Sequence, residues 1–218
     1  MQTHEIGEAK ALAAGDYASL ETQSMAAGMA YRLLTGVVVP RPVAWISTQS
    51  ERGVVNLAPF SSFNYVAHSP PMLAVNINVE DDGRLKDTAR NIEQSGAFVV
   101  NMPPAWAVDA VNESSAGYPA EAGEAEALGI PLLPGLCVPV PRVAWARAQM
   151  ECVLRHRLPL GNGVNVLYIG EVLAFHVAHE AFDGQRVDSR ALAPLARLGG
   201  PFYTGLGEII QRDRPAPR

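Results

Sequence analysis

The order of apolar and polar positions divides the chain into a helical opening, a β-rich middle and a mixed end. Apolar residues in the Ala-rich first thirty positions recur at helix-compatible spacing and predict an N-terminal helical arm over 1–29, closing near the Tyr-Arg-Leu-Leu-Thr-Gly stretch. Short β-favouring runs bounded by Pro, Gly or Asn predict strands at 43–48, 61–67, 72–78 and 97–102. A helix over 86–96 interrupts them, with Asp87 and Thr88 at its opening and Gly96 at its close. The Ala- and Glu-rich stretch 105–128 predicts helices on the outside, and 129–143 carries too many prolines for anything but a long extended connection. Strict alternation marks 147–158 as a strand. Ala148, Met150, Cys152, Leu154 and Leu158 share one face, with Arg147, Gln149, Glu151, Arg155 and Arg157 on the other. The next strand, 164–178, is apolar on both faces, as a strand pressed between a core and another layer or subunit should be. The glycines at 161–163 and 205–207 read as turns. With no alternating βαβ units, the fold class is mainly β: a β-barrel with added helices, spanning 30–205 and followed by a tail at 206–218.

Composition narrows the partners. The 218 residues are 48% hydrophobic and 18% charged, enough to bury a substantial core. A net charge of −5, from 17 Lys+Arg against 22 Asp+Glu with no basic tract, sets nucleic acid and anionic membranes aside. No apolar run approaches the roughly 18 residues of a spanning helix. The mixed, acidic N-terminus lacks the marks of a secretion signal, so a cytoplasmic protein with no membrane partner is expected. Cys137 and Cys152 lack metal-ligand spacing and read as reduced thiols, and His176 and His179 lack the i, i+4 spacing of a helical zinc pair.

Candidate chemistry gathers at strand ends. Ser47 and Thr48 close one predicted strand, Asn56 begins the return, and Ser61 and Ser62 open the next. Each alone is an ordinary turn or cap residue; around one barrel mouth they can converge on a ligand. At the opening of the helix at 86–96, Asp87 reads equally as a cap. The same opening offers free N–H groups and a positive dipole end beside Lys86 and the Thr88 hydroxyl, a workable phosphate seat. Trp45 and Phe60, taken alone, read as core. Neither a Walker loop nor Gly-x-Gly-x-x-Gly is present, and no catalytic triad or carboxylate pair stands out, so any redox chemistry has to come from a cofactor.

The strings RPVAWISTQSERGVVNLAPFSSFN (41–64), SPPMLAVNI, KDTARNI…FVVNM, MEC (150–152), YIGEV (168–172) and LARLGGPFY (195–203) closely resemble the flavin reductase-like, FMN-binding split-barrel family, in order, over roughly 30–205. The resemblance implies a homodimeric split barrel that binds FMN near the subunit interface and reduces flavin with NADH or NADPH, with no catalytic side chain of its own. Carried over by position, Trp45, Ile46, Ser47 and Thr48 border the ring and ribityl chain. Asn56, Ala58, Ser61 and Ser62 continue along the ribityl and phosphate side. Lys86 and Thr88 hold the phosphate with Asp87 stabilising the turn, and Tyr203 faces the cofactor or nicotinamide. A flavin-dependent monooxygenase is the partner implied for the released reduced flavin. Rival readings are an FMN-bound reductase of a dedicated small molecule, a flavin-binding module without turnover, and a barrel whose site is lost and whose dimer surface is its function. Where some members read Gly-Asp-His, this chain has Gly163, Val164 and Asn165, and Asn165 cannot exchange a proton.

Overall fold

The structure, a computed structural model, describes residues 11–80, 82–213 and 215. Seven strands make one antiparallel sheet: β1 (Ala44–Gln49), β2 (Val55–Phe60), β3 (Phe63–His68), β4 (Pro71–Asn78), β5 (Ala97–Met102), β6 (Ala148–Leu160) and β7 (Asn165–Val177). Their order is β2-β1-β5-β6-β7-β4-β3. The two edge strands, β2 and β3, follow one another in the chain with only Ser61 and Ser62 between them, so the sheet has to curl until its edges meet. At that corner the Asn76 N–H donates to Ser62 O at 2.8 Å. This is the β-barrel with added helices that the pattern predicts.

Alternation along the strands builds two cores. Ala44 and Ile46 of β1, Val75 and Ile77 of β4, Phe98 and Val100 of β5, and Val166 and Tyr168 of β7 fill the barrel. The helix α2 (Asp87–Ser95) adds Ala89 and Ile92 to the same cluster. On the outer face of β1 and β2, Val43, Trp45 and Leu57 pack against Val111, Ile130 and Val143 from the 105–146 region. Full burial of one such aliphatic side chain stabilises by roughly 1.5–3 kcal/mol.

Three expectations change. Of the helical arm, residues 1–10 lie outside the described part, and 11–28 hold only two three-residue 3-10 turns, Ala14–Asp16 and Thr22–Ser24. The true helix, α1 (Met29–Val37), starts where the arm was to close, after Gly28 in the left-handed region. Residues 11–28 bury no side chain, and a helix needs a packed face to persist in water. Second, the return segment is itself a strand, β2, hidden in the sequence by Pro59; an edge strand tolerates a residue that cannot donate to a ladder. The next strand, β3, accordingly begins at Phe63, leaving Ser61 and Ser62 in the corner.

The third concerns β6. Its predicted polar face is not turned to water throughout: Gln149 and Glu151 are buried, because the proline-rich connection folds across them. Val138 and Val140 of that connection pack on Ala97 and Val99. Glu151 Oε1 accepts the Leu136 N–H at 2.7 Å and meets His176 Nε2 at 2.6 Å, while Oε2 accepts the N–H groups of Cys137 at 2.6 Å and Val138 at 2.9 Å. Further along the hairpin Arg155 and Arg157 do reach solvent, paired with Glu171 and Glu93 at 2.7 Å each.

Gly170 sits at a tight point of the barrel interior. A Cβ there would lie 2.4 Å from Phe98 Cζ and 3.3 Å from Cys152 Cβ, next to the register shift between Ile169 and Gly170. Gly170→Ala is expected to destabilise by roughly 1–3 kcal/mol through overpacking. The check is a lower denaturant midpoint at unchanged slope; an unchanged midpoint would show that Phe98 moves aside at no cost.

Candidate functional site

Two clefts meet beside the β2–β3 corner. The smaller, of 340 Å³, is lined by Asn56 and Ala58 of β2 and by Lys86, Asp87 and Thr88 at the opening of α2, with Glu124 behind them. The larger, of 660 Å³, holds Ser61 and Tyr203 with Arg41 and Arg197. Pro59, Phe60 and Ser115 line both, so the two form one trench.

The small cleft suits an anion for a reason internal to α2. Lys86 is the N-cap, yet no side chain caps the helix. The first N–H groups of a helix lack intrahelical partners, and a lysine at the positive dipole end is placed against the helix field. A phosphate between them satisfies both. The predicted cap, Asp87, instead forms an ion pair with Arg90, one turn on.

Below this opening lies a buried network. Asn56 Oδ1 accepts the Thr88 hydroxyl at 2.7 Å and the Thr48 hydroxyl at 3.3 Å, while Asn56 Nδ2 donates to Glu124 Oε1 at 2.8 Å. Glu124 Oε2 accepts the Leu57 N–H at 2.8 Å, and Asn91 Nδ2 donates to Thr48 at 3.0 Å. Burial pushes the Glu124 carboxyl above its ordinary range, and its hydrogen bonds from Leu57 and Asn56 offset only part of that.

The structure thus brings Asn56, Ala58, Lys86, Asp87 and Thr88 together, though the hydroxyl of Thr88 and the amide of Asn56 buttress the seat rather than stand free in it. Trp45, Ile46, Ser47 and Thr48 are fully buried and line neither cleft, because β1 is covered on both faces. Trp45 Nε1 donates to Ser114 Oγ at 2.9 Å in the outer core, Ile46 fills the barrel, and Ser47 Oγ donates to Pro141 O at 2.6 Å. Ser61 faces the large cleft, where it accepts from Arg41 Nε at 3.4 Å, and Ser62 faces away, toward Leu34 and Pro40. Tyr203 lies under the Arg197 guanidinium, 4.3 Å from the ring centroid. Asn165 stands away from both clefts, 3.2 Å from Asn76 Nδ2. Sequence reasoning passed over Arg41, Arg197 and Glu124. The two arginines stood inside quoted motifs, whereas Glu124 sat in a stretch whose composition signalled only outer helices.

Residues 36–196 match the flavin reductase like domain. The chain belongs to that family. Its fold is the family's split barrel, and its coarse class is a flavin reductase-type oxidoreductase. The chain is similar to a protein of Halalkalibacterium halodurans, 40% identical over 189 residues that cover 85% of this chain and 90% of the relative. It superposes on nitrilotriacetate monooxygenase component B from Bacillus cereus with a TM-score of 0.86 and 36% identity, over 90% of this chain and 98% of that one. The Pseudomonas fluorescens 2-nitrobenzoate 2-nitroreductase gives a TM-score of 0.82 at 28% identity, over 91% of this chain and 96% of that one. Among the described residues no helix is long and apolar enough to cross a membrane, and no cluster of His, Cys, Asp or Glu is arranged to hold a metal.

Proposed function

We propose that the protein is an FMN-binding NAD(P)H:flavin oxidoreductase. The observation that carries this reading is the uncapped opening of α2, with Lys86 as its N-cap, at one end of a trench whose other end is wide and aromatic. In this reading Lys86 and the first N–H groups of α2 hold the phosphate, and Asn56 with Thr88 keeps the strand and helix at fixed separation. Ala58, Pro59 and Phe60 line the trench beside this seat and would hold the rest of the cofactor. When bound, FMN supplies the two-electron chemistry; the chain binds, orients and excludes water.

A homodimer fits the surface. Leu173 and Phe175 of β7 are 43% and 60% exposed, and Leu158 and Leu160 of β6 are each 44% exposed, so the long hairpin carries bare apolar side chains that a second copy would cover. The similarity to a monooxygenase component B supports a role in supplying reduced flavin to a separate monooxygenase. The similarity to a nitroreductase supports the second reading, reduction of a small acceptor by bound FMN.

A visible spectrum of the purified protein, followed by anaerobic addition of NADH and then NADPH, tests the proposal. A flavin band that bleaches with one of the donors is the expected result. No band after added FMN and dialysis, with no donor oxidation on supplying free FMN, would overturn it.

A further inference from the structure

The larger cleft is electropositive within an acidic protein. Arg32, Arg41 and Arg197 line it, and no Asp or Glu does. Elsewhere Arg84, Arg90, Arg147, Arg155 and Arg157 each meet a carboxylate, but among the described residues none of the three cleft arginines has such a partner.

Their roles differ. Arg41 is a clasp: Nη1 donates to Thr35 O at 2.5 Å and Val38 O at 2.7 Å, Nη2 to Leu198 O at 3.0 Å, and Nε to Ser61. Four contacts leave little of its fork for a ligand, so Arg41 shapes the wall and contributes field. Arg197 is spent less. It donates to the Tyr203 hydroxyl and, at 2.7 Å, to Gly200 O, both neutral, and a guanidinium carries five N–H groups. Its position is held from behind: Gly200 takes a left-handed turn at φ 60°, and a Cβ at Gly199 would stand 3.2 Å from Gly36 Cα of α1. The guanidinium is therefore presented from a short strand, Ala196–Arg197, held between Arg41 and Tyr203 and followed by a turn wedged against a helix, and it stacks on Tyr203. Around it the mouth is aromatic, with Tyr31 at 68% and Phe202 at 65% exposure beside Phe60.

We propose that this cleft is the subsite for the flavin's reaction partner, and that Arg197 selects for a planar ring compound bearing an oxyanion, a carboxylate or a phosphate. A planar guanidinium matches the two oxygens of such a group, and the aromatic mouth matches the ring. The proposal rests on the flavin reading of the adjoining cleft for the word partner, while the preference for an anion stands on the arginines. The oxyanion has two sources, an aromatic acid as electron acceptor or the phosphate of a nicotinamide nucleotide as donor.

The test is equilibrium binding of two matched pairs to the FMN-supplemented protein: benzoate against benzamide, and nicotinamide mononucleotide against nicotinamide riboside. The anionic member of at least one pair should bind about tenfold tighter or more, as a charge-assisted contact implies. The pair that shows the preference identifies the source. Arg197→Gln should abolish the preference and Arg197→Lys should keep part of it, with melting temperatures confirming that both variants fold. No preference in either pair, or a preference that survives Arg197→Gln, overturns the proposal. Flavin fluorescence reads the neighbouring seat separately. Protein that binds FMN without discriminating the pairs loses the anion subsite alone, and protein that discriminates them without binding FMN loses the flavin reading alone.

Discussion

Removing both Lys86 and Thr88 by substitution to alanine should weaken FMN binding by about 3 kcal/mol, roughly a hundredfold. Two losses combine in that figure. Lys86→Ala removes the cation that stands against the positive end of α2, and with it the charge-assisted contact to the phosphate. Thr88→Ala acts beneath the seat, since its hydroxyl donates to Asn56 Oδ1 and helps fix the distance between β2 and α2. The second substitution also costs stability, about 1 kcal/mol for one buried hydrogen bond, so the apparent affinity has to be measured well below the variant's melting temperature. Flavin fluorescence titration gives the number. Equal affinity in variant and parent would remove the phosphate from α2.

Glu151→Ala should destabilise the fold by about 3–5 kcal/mol, the range for breaking a buried charged cluster by deleting one member. Three main-chain N–H groups and the His176 ring lose their common acceptor together. The carboxyl also makes stability depend on acid. Burial alone would raise it, but the N–H groups of Leu136, Cys137 and Val138 and the contact with His176 outweigh burial and hold it down at about 2. A carboxyl depressed on folding stabilises fully above its unfolded value near 4.5, and that contribution fades as pH falls from there through about 2. Glu93 acts in the same direction: burial raises it, and Tyr168 and Arg157 more than compensate. Glu124 has the opposite sign, its contribution being present at low pH and fading as pH rises through its elevated value. Glu151→Gln should therefore flatten the acid limb of the stability curve between about pH 4.5 and 2. An acid limb unchanged in the variant would assign that dependence to other carboxylates.

Local pattern carried much of the architecture. The strands β4, β5 and β7 announced themselves by β-favouring runs between turn residues, and α2 by its polar opening and its closing glycine. What stayed hidden depended on distant parts of the chain. Pro59 argues against a strand until its strand is known to be an edge, and edge position is a property of the whole sheet. The burial of Gln149 and Glu151 depends on a connection that alternation within β6 cannot reveal. The convergence of Lys86, Thr88, Asn56 and Ala58 on one cleft was legible because a strand end and a helix opening meet there. Trp45 to Thr48 could not be sorted the same way, since a strand sandwiched between two cores looks locally like one that lines a cavity. Arg197 escaped because its importance lies in the carboxylates missing around it.

The cluster at Glu151 also determines how the proline-rich connection can vary. It is gripped through main-chain N–H groups, so the side chains of Leu136, which is 76% exposed, and of the exposed Cys137 can be exchanged almost freely. The count of residues cannot. One residue removed or added between Gly135 and Val138 would shift every N–H away from the carboxylate and carry Val138 and Val140 off the outer face of β5. Across natural or designed variants this segment should drift in composition while keeping its length.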